Sequence, residues 1–140
     1  MIAQTEPRRL SLANLTVGRT PPPDLVRAAA AARFGKVGLL EVSATAQPLQ
    51  HEVIGRSEVV LEVKAPLRET DMRVFDIEAF VLPPETDLER FRPAMEVGAE
   101  LGATHIASIY TELVPDARFL TPVQRVDLFG RLCDEICSSA

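Results

Sequence analysis

Residues 72–106, MRVFDIEAFVLPPETDLERFRPAMEVGAELGATHI, constrain the fold more than any other stretch. They read as a strand, a loop, a helix, a glycine stop and a second strand. In Val74–Phe80 a period of two puts Asp76 and Glu78 on one face and Phe75, Ile77 and Ala79 on the other. One face can then pack under a helix while the other carries two acids towards the C-terminal end of the strand. Thr86 and Glu89 have capping-box spacing, so a helix can open after Pro83-Pro84-Glu85, and Pro93 implies that it is bent or starts late. Gly102 stands where a left-handed residue ends a helix. A βαβ unit results, and such units gather ligands at the C-terminal ends of their strands.

The same alternation runs through the rest of the chain. Leu10–Val17 is expected as a first strand, and Pro21 to Pro23 with Asp24 suit the opening of a helix over Leu25–Arg33 that stops at Gly35. Lys36–Ser43 reads as a second strand, nearly continuous in apolar residues as parallel strands tend to be. Ser57–Thr70 reads as a helix that Pro66 kinks or ends. Thr104–Glu112 is a fourth strand. Thr121-Pro122-Val123-Gln124 is a capping box that opens a last helix, with Val126, Phe129, Cys133 and Ile136 as its inner stripe.

Residues 1–9 read as a flexible lead-in and 10–140 as one domain. With a net charge of -5 and 15 basic residues the sequence has no basic stripe, which argues against nucleic acid as a main partner. No apolar run approaches the ~18 residues of a membrane span. The N-terminus lacks the apolar core of a signal peptide, so a cytoplasmic protein with no membrane partner is expected. Cys133 and Cys137, four apart on a helix, read as two small buried residues in a reducing compartment. Cys133 should therefore resist thiol reagents and Cys137 should react sooner. With two His and no CxxC, a structural zinc site has little support.

Five segments in order resemble the sugar phosphate isomerase/epimerase family of xylose-isomerase-like barrels, which also includes AP-endonuclease-type enzymes. They are Leu10–Val17 (LSLANLTV), Val37–Val42 (VGLLEV), Arg73–Leu82 (RVFDIEAFVL), Arg92–His105 (RPAMEVGAELGATH) and Asp127–Cys133 (DLFGRLC). The resemblance implies the first half of a TIM (β/α)8 barrel, with about four βα units of parallel strands and helices on one side. An open flavodoxin-like sheet, covered on both faces, is the architectural alternative. The resemblance also implies a divalent metal (Mn, Mg or Zn) in full-length relatives, held by residues of the second half. The metal would polarise substrate oxygens while an acid moves a proton between neighbouring carbons. No such metal site is expected in this chain alone, since its sequence stops before the fifth strand. A sugar or sugar-phosphate-like small molecule is the implied ligand.

Asp76 and Glu78 are the candidate catalytic residues, and Asn14, Tyr110, Glu112 and Arg118 are candidates for substrate binding. Either acid could instead cap a neighbouring loop or pair with Arg73, and Asn14 could anchor a loop. His105, at the start of its strand, reads as structural and His51 as solvated, while Asp116 and Arg118 resemble a loop acid–base pair. Glu41, Pro66 and Thr70-Asp71-Met72 depart from the family pattern. The expectation is a truncated isomerase/epimerase, inactive in isolation. The alternative is a non-catalytic half-barrel that binds a ligand or partner through its open edges. Exposed edge strands favour self-association or a complementary half-barrel.

Overall fold

The computed structural model of the chain describes residues 10–40, 51–82, 87–109 and 120–138. Four strands form one parallel sheet in sequence order: β1 (Ser11–Ala13), β2 (Lys36–Leu40), β3 (Arg73–Val81) and β4 (His105–Ile109). Between and after them lie a short α1 (Asn14–Val17), α2 (Pro22–Ala31), α3 (Ser57–Thr70), a 3-10 turn (Leu88–Phe91), α4 (Arg92–Glu100) and α5 (Pro122–Ser138). This is the expected half of a TIM barrel.

The strand pattern places every long helix on one side of the sheet. Val37, Leu39 and Val74 are buried with Leu25, Val26 and Ala29 of α2 and Val60 and Val63 of α3. Ile77 and Phe80 continue the same face into a second cluster, with Phe91, Ala94 of α4, and Leu128 and Leu132 of α5. Phe80 and Phe91 meet edge to face, with ring centroids 4.9 Å apart. Burying each such side chain contributes about 1.5–3 kcal/mol, so these two clusters carry the fold.

Several local expectations change. The first strand is short because Asn14 already begins α1, with Gly18 following it. Helix α2 starts at Pro22, where the missing amides cost least, and leaves through Arg33 (φ 62°) rather than at Gly35. Pro66 does not end α3, which runs on to Thr70, whose hydroxyl donates to the Pro66 carbonyl at 2.6 Å. Thr86 lies outside the described residues. Asp87 accepts from the Glu89 amide at 3.1 Å, while Glu89 grips Arg92 through two contacts of 2.9 Å. The helix consequently starts late, at Arg92 with Pro93 in its first turn. Asp71 (φ 52°) and Gly102 (φ 77°) supply the left-handed residues after α3 and α4.

The reading of α5 needs the largest correction. Its capping box forms, with the Thr121 amide donating to Gln124 Oε1 at 2.9 Å and the Gln124 amide to Thr121 Oγ1 at 3.4 Å. The buried stripe, however, is Leu128 and Leu132, while Val126 is 70% and Phe129 50% exposed. Cys133 is exposed as well, so it is open to thiol reagents rather than shielded. The side chains of Ile136 and Cys137 lie outside the described residues. Leucines one turn apart reach the Phe80–Phe91 pair, and this contact sets the rotation of the helix.

Candidate active site

The face of the sheet turned away from the helices is where the acids lie. Register places Ala13, Gly38, Asp76 and His105 side by side across all four strands. Two of the four are small, which leaves space beside Asp76. Glu78 follows one step along the same face, opposite Leu40 at the end of β2. A methyl group on Gly38 would lie 2.4 Å from Asp76 Oδ1 and 2.5 Å from Glu78 Oε1. Both oxygens therefore occupy the notch that the glycine leaves, within about 5 Å of each other, the range over which like charges raise one another's pKa.

The expected alternation thus holds for Asp76 and Glu78 but not for Phe75. The register slips between Val37 and Gly38, so that Val37 pairs with Val74 and Gly38 with Asp76, leaving Phe75 as the extra residue. Its ring leaves the helix-side core, stacks on His105 at 4.2 Å and lies 4.6 Å beneath the Lys36 ammonium. This trio forms the floor of the face at the N-terminal ends of the strands. His105 also meets Thr104 Oγ1 through Nδ1 at 2.8 Å, in keeping with a structural role.

Glu78 is 5% exposed, and its Oε1 has no hydrogen-bond partner among the described residues. Burial, and secondarily the Asp76 charge, raise its pKa, against a hydrogen bond from the backbone amide of Asn14. Glu78 therefore does hold the start of α1, as the structural alternative allowed, but only one of its oxygens is engaged in doing so. Asp76 is also raised, by burial above all, with His105 pulling the other way. No ion pair joins either acid to Arg73 among the described residues. The Ser11 hydroxyl is likewise buried without a partner among the described residues. Two crowded carboxyls with raised pKa values can hold one proton between them and pass it on.

Asn14, expected as a pocket residue, is 5% exposed at the head of α1 and meets Glu78 through its backbone. Tyr110, Glu112 and Arg118, together with Glu41 and Asp116, lie outside the described residues. His51 Nε2 sits 3.1 Å from the Arg19 carbonyl, away from the acids. Gly38 escaped the sequence reading. A glycine inside the apolar run Val37-Gly38-Leu39-Leu40 was its signal, since such a glycine marks a close approach. No three His, Cys, Asp or Glu side chains converge among the described residues, so these residues do not make up a metal site. None of the described helices is long and apolar enough to cross a membrane.

No known family profile matches the sequence. No curated protein matches it either. Its structure is similar to that of a xylose isomerase domain containing protein from Salmonella typhimurium LT2, with a TM-score of 0.70 at 14% identity. The match covers 96% of this chain and 47% of the other, so the chain spans about half the length of that protein. The fold is thereby that of half a xylose-isomerase-like barrel.

Proposed function

We propose that this chain supplies the first half of a sugar isomerase or epimerase pocket, acting on a sugar, sugar phosphate or similar polyol. The Asp76–Glu78 pair over the Gly38 notch carries this reading, because such a reaction needs a buried acid–base able to take a proton from one carbon and return it to the next. In the proposed mechanism Glu78 exchanges the proton, and burial, with the neighbouring Asp76 charge second, keeps its affinity for it high. Tyr110, Glu112 and Arg118 follow β4 directly in sequence, and their proposed role is to hold the substrate's oxygens and any phosphate. A divalent cation such as Mn2+, Mg2+ or Zn2+ would stabilise the negative charge developing on the substrate oxygen, with ligands from outside the described residues. On this reading the 140-residue chain binds polyols but does not isomerise them until a second half completes the lumen.

The test is proton exchange. Aldoses, ketoses and their phosphates are incubated in D2O with the chain alone, and with the chain joined to a second set of four βα units, with and without Mn2+. The expected outcome is deuterium at the carbon beside the carbonyl only in the completed barrel, abolished by Glu78→Gln and retained in His105→Gln. Incorporation that survives Glu78→Gln would sink the assignment of the acid. The open edges at β1 and β4 favour a second reading, a non-catalytic module that binds through them. Polyol binding without any exchange in the completed barrel would select it.

A further inference from the structure

Among the described residues, seven large apolar side chains are exposed: Leu10, Leu15, Val17, Leu61, Val123, Val126 and Phe129. All but Leu61 belong to elements next in sequence to the outer strands of the described sheet. Leu10, Leu15 and Val17 flank β1, and Val123, Val126 and Phe129 lie on α5, the helix that follows β4. These outer strands are the opposite edges of one sheet, in the order β1-β2-β3-β4. A single partner that covers both must reach round the lumen, and one that continues the barrel has strands parallel to these.

From this arrangement we infer that a second copy of the chain is that partner, so that two half-barrels close into one eight-stranded barrel about a twofold axis along its length. Such an axis keeps all strands parallel and sets β4 of each copy beside β1 of the other, which removes both edges at once. The size is right, since the solved neighbour has a little more than half its length beyond the matched region, a stretch comparable with this chain. The helix faces also fit. At each seam α5 of one copy comes beside α2 of the other, where Ala28 and, one turn on at the C-terminal cap, Ala32 are exposed as a surface that the bulkier Val126 and Phe129 can approach closely. The inference rests on the half-pocket reading above and names its partner. The lumen would then hold two Asp76–Glu78 pairs facing one another.

Sedimentation equilibrium on the 140-residue chain tests it, with wild type, Leu15→Glu and Phe129→Lys measured separately and mixed. The expected wild-type mass is twice the 15.3 kDa of one chain. Each variant alone should fall to the single-chain mass while keeping cooperative unfolding. Their equimolar mixture should regain the double mass, because one seam is then native and the other sets Glu against Lys. If either charged variant fails to fold, Leu15→Ser and Val126→Ser take its place. A wild-type chain that stays monomeric from micromolar to submillimolar concentration overturns the inference. So does a Leu15→Glu variant that remains dimeric while Phe129→Lys dissociates, since that marks pairing of α5 with α5. The two proposals fail separately. A dimer leaves the pairing intact, and the sugar reading ends only if the chain joined to four further βα units also shows no exchange, whereas a monomer ends the pairing and leaves the sugar reading to another second half.

Discussion

The two faces of β3 are built by opposite rules. Towards the helices, Ile77 and Phe80 are almost wholly buried among Phe91, Ala94, Leu128 and Leu132. Space is so short there that a methyl group on Gly98 would lie 2.7 Å from Ile77 Cδ1. Towards the lumen, Asp76 and Glu78 occupy the notch over Gly38, and a buried carboxyl oxygen has no partner among the described residues. One face gains its free energy by filling space. The other gives some of it up, as sites that must act on a ligand commonly do.

The contrast breaks most visibly at Phe80. Phe80→Ala removes the ring packed on Phe91 and leaves a cavity, and should cost about 3–5 kcal/mol in urea unfolding. A loss below about 1 kcal/mol would mean that the helix side is not tightly packed. Gly98→Ala comes next, at about 1–3 kcal/mol, because the fully buried Ile77 has little room to retreat from the new methyl group. Unfolding midpoints across the pair rank the two effects.

On the lumen side the sign reverses. Glu78 holds its proton more tightly in the folded chain than in the unfolded one, so its contribution is most favourable at low pH. Stability is lost as pH rises from the ordinary carboxylate value, about 4.3, through the raised folded value, and levels off above it. Glu78→Gln should therefore be more stable than wild type at neutral pH, with the difference vanishing in acid. Unfolding at a series of pH values measures it, and a wild type more stable than the variant at pH 7 would contradict the unpartnered acid. The smallest effect belongs to Asp76→Asn. Removing the neighbouring charge should move the Glu78 titration down but leave it above the ordinary value, because burial is the larger cause. Carbon NMR of the Glu78 carboxyl follows that shift.

Much of this was legible from residues alone. The apolar run of β2, the helix at Ser57–Thr70, the stop at Gly102 and the Thr121–Gln124 box all formed where local chemistry put them. The shared face of Asp76 and Glu78 was legible too, since it needs only the period of a strand. Phe75 was not, because a register slip depends on the neighbouring strand and leaves no mark in the sequence of its own. The inner side of α5 was also hidden. Leu128 and Leu132 compete with Val126, Phe129 and Cys133 for that role, and periodicity alone cannot rank two apolar stripes on one helix. Contact with Phe80 and Phe91 ranks them.

The joints that lead out of the helices allow a last deduction. Arg33, Asp71 and Gly102 each turn the chain left-handed shortly before Lys36, Arg73 and His105 begin their strands. Only one of the three is glycine, so the conformation is set by the geometry of the joint and tolerates quite different side chains. A polymer in which α2, α3 and α4 each return to the sheet through the same hinge is modular in the engineer's sense. Further units can be appended, or whole sets exchanged, without any new kind of connection. An architecture of this sort can double by gene duplication and fusion as readily as by association, and the hinge at each junction would be the same in both.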